Sequence, residues 1–250
     1  MRLIQAAARR VFTCVGGVIS PLLANIYLHY VFDLWTHAWR QKNATGEVIV
    51  VRYGDDFLVG FQRKADAERF LEELRERFRE FTLELHPDKT CLLEFGRFAA
   101  QNRRQRGDGK PRTFDFLGFT HICGRTRNGK FTVRRKTMRK KMRAKLAAVK
   151  QELKRCMHRN IREVGAWLRS VLQGHYRYYA VPRNSKALVT FRYRILQMWK
   201  RFLGRRSQNG KVNWKRMNRY AKRWLPNPRI LHPYPSQRLR VTTQGRSPVR

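Results

Sequence analysis

Hydrophobic and polar positions change their period near residue 136, and that change divides the chain before any motif is considered. Upstream, short apolar runs alternate with one charged amphipathic segment. Residues 48–61, VIVVRYGDDFLVGF, read as two apolar strands around a Gly54-Asp55 turn, a β-hairpin pattern. In ADAERFLEELRERFREF, Phe70, Leu74, Phe78 and Phe81 share one helical face, which predicts a helix covering one side of a sheet. TLELH and CLLEF, on either side of Pro87-Asp88-Lys89, predict short strands, and FDFLGFTHIC predicts another after a polar, Arg-rich loop over 101–112. Ahead of the hairpin, Ser20-Pro21 and LLANIYLHYVFDLWTHAW predict a helix with Ser20 as N-cap and Pro21 at the first helical position. Apolar residues lie nearly all round it, which predicts burial.

From about residue 136 the pattern is helical alone. Met138, Met142, Leu146, Val149, Leu153 and Met157 recur every three or four positions, with Lys and Arg opposite. A second stripe runs Ile161, Val164, Trp167, Leu168, Val171 and a third Leu188, Phe191, Ile195, Trp199, Phe202, enough for a small bundle. Ser207-Gln208-Asn209-Gly210 reads as a linker, and Trp214, Met217, Tyr220 and Trp224 mark a last short amphipathic helix. Pro226, Pro228, Pro233 and Pro235 then end regular structure. The expected class is α+β: a mixed region over 1–130, an all-α basic region over 131–206, and a basic tail with one short helix over 207–250.

Charge sharpens this division. The 250 residues carry 56 Lys+Arg against 17 Asp+Glu, a formal charge of +39, while 42% are hydrophobic, so a packed chain with a polyanionic partner is expected. Residues 124–250 hold 37 of the basic side chains and only two acids, Glu152 and Glu163, which makes the second half the nucleic-acid-binding half. The sequence has no signal-peptide pattern and no apolar run of bilayer length, so a membrane partner is not expected. Cys14, Cys91, Cys123 and Cys156 form no Cys-x-x-Cys pair, which favours reduced thiols and a cytoplasmic setting. His121 and Cys123 have no second pair at zinc spacing and read as strand residues.

Asp55 and Asp56 are the candidate chemistry. Two carboxylates at a tight turn between buried strands repel one another unless a cation such as Mg²⁺ neutralises them. Taken alone, the dipeptide reads more readily as an ordinary polar turn, since Asp and Gly are common turn residues. By its own setting Lys89 reads as a solvated turn lysine, and Arg52 and Arg103-Arg104-Gln105-Arg106 as phosphate contacts or solvated charge.

The surrounding residues add a resemblance. Tyr53-Gly54-Asp55-Asp56 between apolar strands resembles the Tyr-x-Asp-Asp motif of reverse transcriptases, and GGVISPLLANIYL, about thirty residues earlier, resembles their template- and nucleotide-contacting segment. His86-Pro87-Asp88-Lys89-Thr90 resembles the next palm motif and Phe116-Leu117-Gly118-Phe119 the segment that holds the primer end. In order and spacing the chain is similar to group II intron proteins. Trp167, Gly174-His175 and Tyr176 to Tyr179 resemble the aromatic maturase signature, and Pro228-Arg229-Ile230 with His232-Pro233-Tyr234-Pro235 resembles the tail of shorter bacterial members, with no Cys-rich endonuclease region after it.

The resemblance implies a partial right-hand polymerase palm followed by a helical thumb and maturase region. It implies Mg²⁺ (two ions) at Asp55 and Asp56, with Lys89 as proton donor to pyrophosphate. Gly16, Gly17, Ser20, Pro21 and Tyr53 are then nucleotide and template contacts, and Phe116, Leu117 and Gly118 primer contacts. Arg134, Arg135, Lys136, Arg139, Lys140, Arg143, Arg177 and Tyr178 are expected to bind RNA. The implied partners are a group II intron RNA and a DNA primer or target, in a bacterial cytoplasm associated with RNA or nucleoid; self-association, or complementation by another chain, stays open.

Two departures bear on activity. Cys14-Val15 stands where the family has Pro-Gln. The family takes its first metal-binding aspartate from an earlier motif, yet only Asp33 and Glu47 precede Asp55, and the fingers and first palm strand are expected to be missing. Two-metal phosphoryl transfer needs carboxylates that bridge both ions, so weak or absent polymerisation is expected. The alternatives are a polymerase that also assists splicing of its intron, a non-catalytic basic RNA-binding remnant, and a generic basic architectural protein. Stacking on unpaired bases is expected of Tyr176, Tyr178 and Tyr179, while core packing suits Trp214 and Trp224 better.

Overall fold

The computed structural model describes residues 1–10, 19–206 and 212–234, without the side chains of residues 9 and 10. Gly16, Gly17, the 207–210 linker and Pro235 lie outside the described residues. Contacts divide the chain into two compact units, Met1–Phe116 with Ile122–Val133, and Leu117–His121 with Arg134–Arg250.

The first unit is built around a strand that hydrophobic alternation did not reveal. β1 (Arg2–Arg10) is the central strand of its sheet. Leu3, Ile4, Ala6 and Ala7 are all buried, so both faces are covered and no period of two is visible. A strand therefore stands where the first one was expected to be missing. After it come α1 (Ser20–Leu28), a π-helical segment (His29–Leu34) and α2 (Trp35–Lys42). The hairpin β2 (Val48–Tyr53) and β3 (Asp56–Phe61), the helix α3 (Lys64–Glu80) and the strands β4 (Leu83–Leu85) and β5 (Cys91–Glu94) complete the sheet. The order β2-β3-β1-β4 is antiparallel throughout, with β5 beside β4 on the same edge of β1, a β-α-β-β-α-β arrangement.

Side-chain alternation fixes which sheet face the helices cover. Ile4, Ala6, Phe57, Val59 and Phe61 share one core with Phe32 and Trp39 of the first helical segment and Phe70, Leu74 and Phe78 of α3. Asp66, buried at the start of α3, accepts from the Thr45 and Gly46 amides at 3.0 and 3.1 Å and from Thr45 Oγ1, which ties the loop before β2 to the helix. The first helical segment differs from expectation. Ser20 is already helical, Ile19 occupies the N-cap and no side chain caps it. Burial is one-sided: Leu28, Val31 and Phe32 face the core, while Leu22, Leu23, Ile26, Tyr30 and Leu34 are exposed. A single sheet face can cover only one side of a helix, whatever the helix carries on the other.

The Arg-rich stretch is partly helical, as α4 (Ala99–Gln105), and much of its charge is neutralised internally. Arg106 pairs with Glu94 and Asp108, and Arg103 with Asp108 at 3.9 Å. Burial pushes the Glu94 carboxyl up, but hydrogen bonds from Asn102 and Arg106 and the charges of Arg2 and Arg106 outweigh it and hold Glu94 below its ordinary value. FDFLGFTHIC is a hairpin, β6 (Phe114–Phe116) and β7 (Phe119–Arg125), and β8 (Phe131–Thr137) completes a three-stranded sheet in the order β6-β7-β8.

The second unit is the predicted bundle: α5 (Arg139–Arg155), α6 (Ile161–Tyr179) and α7 (Ser185–Gly204). Leu153, Leu168, Leu172, Phe191, Ile195 and Trp199 fill its core. α8 (Trp214–Trp224) packs on α6 and α7 and buries Met217 and Ala221, so this helix belongs to the bundle rather than to a tail. Gly165 makes that packing possible, since a Cβ there would lie 2.6 Å from the Trp224 ring. Asn184, almost fully buried, accepts from the Thr137 amide at 3.0 Å and donates to Thr137 Oγ1 and the Tyr179 carbonyl, pinning the end of β8 to the α6–α7 corner.

Candidate functional site

Gly54 and Asp55 form the two-residue turn between β2 and β3, with Gly54 at φ +62°. A glycine at the first central position is what this kind of hairpin turn requires. Tyr53 pairs with Asp56 across β2 and β3, and Asp56 pairs with Ala7 across β3 and β1. Directly opposite residues share a sheet face, so Tyr53, Asp56 and Ala7 lie together on the face away from α3. Asp55 is exposed at the tip, where its carbonyl accepts from the Ala8 amide at 2.9 Å. On the other side of β1 the His86 amide donates to the Ala7 carbonyl at 2.9 Å and leads into the 3-10 turn Pro87–Lys89. Lys89 Nζ thereby comes within 4.0 Å of Asp56 Oδ1, both side chains about half-exposed.

The two earlier carboxylates do not join this pair. Arg52 Nε and Nη2 donate to Asp33 Oδ1 and Oδ2 at 2.8 and 2.6 Å, a bidentate fork, and Nη1 reaches Asn25 Oδ1 and the Gly54 carbonyl. Arg52 is thus an internal brace between the helix and the turn rather than a solvated charge. Glu47 precedes β2, at the opposite end of the hairpin from the turn. The β1 positions flanking the aspartates are Ala7 and Ala8, and no group of three His, Cys, Asp or Glu side chains gathers among the described residues. Ala7 and Ala8 went unseen in the sequence because an Ala-rich strand buried on both faces carries no alternation and, apart from Ile4, no β-branched residue.

Phe116 ends β6, buried. Leu117 and Gly118 form the β6–β7 turn with φ +48° and +76°. Tyr178 Oη donates to the Leu117 carbonyl at 2.8 Å, Tyr179 leaves 2.9 Å between its hydroxyl and a Cβ built on Gly118, and the Met138 amide donates to the Gly118 carbonyl. The Tyr178 ring stacks on Phe119 at 5.7 Å and 19°.

Of the basic positions singled out, Arg134 and Lys136 on β8, Arg139, Lys140 and Arg143 on α5, and Arg177 on α6 are exposed, and Arg135 is partly so. Tyr178 is 50% exposed, Tyr179 less so. Tyr176 is buried with its hydroxyl on the Pro226 carbonyl at 3.2 Å, so it is a core residue with no face left for a base. Trp214 is exposed under Lys200, whereas Trp224 is partly buried and packs on Gly165 against the bundle core. Burial pushes the Cys91, Cys123 and Cys156 thiols up, and all three are free.

Residues 6–121 match the family model described as reverse transcriptase (RNA-dependent DNA polymerase). The match covers the antiparallel sheet, the Asp55-Asp56 hairpin and the Leu117-Gly118 turn, just under half of the chain. Among solved structures, telomerase from Candida albicans in complex with a TWJ fragment of telomeric RNA aligns with 83% of this chain at 15% identity and a TM-score of 0.32. This chain spans 31% of that one. No curated protein gives a significant match.

Proposed function

We propose that the chain is a reverse transcriptase of the group II intron maturase type whose helical half grips structured RNA and whose palm polymerises weakly or not at all. The observation that carries this reading is the setting of Asp56: Ala7 lies beside it where a third carboxylate would be needed, and Lys89 Nζ stands 4.0 Å away. The donor set does not fit a pair of Mg²⁺ ions, because Asp55 at the exposed tip and Asp56 on the sheet face leave two ions short of ligands among the described residues, and a protein cation already shares the negative charge.

RNA binding is supported by the charge of the second half, 37 basic residues against two acids, and by the exposure of Arg134, Lys136, Arg139, Lys140 and Arg143 along β8 and α5. Such a surface neutralises phosphates and releases counterions, so affinity should fall steeply with salt. The intron RNA and its DNA target are the partners that the motif order favours.

The test is RNA-templated primer extension with Mg²⁺, beside an Asp55→Ala, Asp56→Ala control and a salt titration of RNA binding. The expected outcome is extension no greater than in the control, with tight and salt-sensitive binding. Robust extension abolished in the control would mean that the palm is a working polymerase, and binding indifferent to salt would remove the RNA grip.

A further inference from the structure

α5 packs chiefly on α7, while α6 packs on α7 and α8, and a groove stays open between α5 and α6. Lys141, Ala144, Lys145 and Ala148 line one side at helical spacing, and Ser170, Val171, Gly174, His175 and Tyr178 the other, enclosing about 570 Å³. That volume is within the range of small-ligand sites. Small residues keep it open: Ala144 and Ala148 on one wall face Gly174 on the other, where an added Cβ would meet nothing within 4 Å. Helices that packed to interior density would close such a gap.

We propose that this groove seats the base of an unpaired ribonucleotide, with Tyr178 as its stacking platform and Lys141 and Lys145 on the flanking phosphates. The inference rests on the RNA-binding reading and names what part of an RNA this site takes. Three observations converge on it. The lining holds two lysines and no acid, which suits a polyanion. One face of Tyr178 is used on Phe119, yet half of its surface is exposed. His175 lines the groove, buried against Phe191 at 3.8 Å, and its Nε2 has no partner among the described residues. Burial and the nearby Lys145 push the imidazole down to about 4, so it is neutral at pH 7 and gives the groove an uncharged aromatic wall rather than a third cation. A duplex offers no splayed base to such a site; a single strand does.

The test compares the full chain with Gly174→Leu and Ala148→Leu on three RNAs of equal length: a single strand, an abasic strand and a duplex. Gly174→Leu fills open space and improves helix propensity, so its melting temperature should not fall. The unaltered chain should prefer the base-bearing strand over the abasic one by about tenfold, and both variants should lose that preference while binding duplex within about twofold of the unaltered chain. An intact preference in both variants, or a loss that falls equally on duplex, would overturn the proposal. Should a variant not fold, 2-aminopurine in the single strand decides on the unaltered chain: quenching on binding supports the site, unchanged fluorescence overturns it. Failure to bind any of the three RNAs would remove the RNA-binding reading as well, whereas duplex binding without base preference removes the groove alone.

Discussion

The Tyr178 hydroxyl donates to the backbone carbonyl of Leu117 at 2.8 Å, and Leu117 stands at φ +48°, a conformation bulky residues seldom adopt. The turn that resembles a primer-holding segment is therefore held open by an aromatic pair at the end of α6. Tyr178→Phe keeps the ring and removes this bond, at a cost of about 1 kcal/mol. Thermal unfolding should register the loss while base stacking persists, so unchanged stability would mean that the hydroxyl is not engaged.

Gly118→Ala tests the same turn from the other side. At φ +76° a Cβ costs about 1–2 kcal/mol, and Tyr179 Oη crowds it at 2.9 Å. Adding Tyr179→Phe should recover the crowding part and leave the backbone part. A double variant no more stable than Gly118→Ala would place the whole penalty in the backbone.

What was legible in the sequence, and what was not, follows from the kind of signal each element gives. α3 and the bundle stripes each have a period matched by one buried face, and the Asp55-Asp56 hairpin has a turn signal between two apolar runs; these are found where the patterns predict them. β1 has no period because both of its faces are covered, so the strand that sets the neighbours of Asp56 went unseen. The Leu117-Gly118 turn was hidden inside an apolar run, since a leucine is not the residue that signals positive φ. Likewise nothing in the one-dimensional pattern says that Arg52 folds back onto Asp33 rather than facing solvent.

Arg52→Lys tests that brace. A lysine keeps the charge but cannot make the two-pronged bond to Asp33 while reaching Asn25 and the Gly54 carbonyl. With both partners partly buried, the expected loss is about 1–3 kcal/mol, and Asp33→Asn should cost a similar amount. If denaturant unfolding shows Arg52→Lys and Asp33→Asn as stable as the parent, the pair is surface ornament.

His175 gives the fold an acid-sensitive point. Its folded-state value, about 4, lies below the ordinary 6.5, so between these the unfolded chain takes up the proton first. Stability is therefore unaffected above pH 6.5 and falls as pH drops from 6.5 towards 4, by about 2–3 kcal/mol at most. Melting temperature followed over that window should decline in the parent and less in His175→Gln. Parallel declines would show that other groups carry the acid sensitivity.

The alanine beside Asp56 offers the sharpest test of the palm. Ala7 is directly opposite Asp56 on the same sheet face, so a carboxylate at position 7 would stand beside that of Asp56, next to the turn that carries Asp55. Ala7 is 1% exposed, so without a cation Ala7→Asp buries a negative charge next to another and should lower the melting temperature. Mg²⁺ at constant ionic strength should then restore it, because an ion bound only by the folded state stabilises that state in proportion to occupancy. The parent chain, with two carboxylates and Lys89 close by, should show a much smaller Mg²⁺-dependent shift. A shift as large in the parent as in the variant would mean that Asp55 and Asp56 already hold the metal, and the reading of a weakened palm would fail.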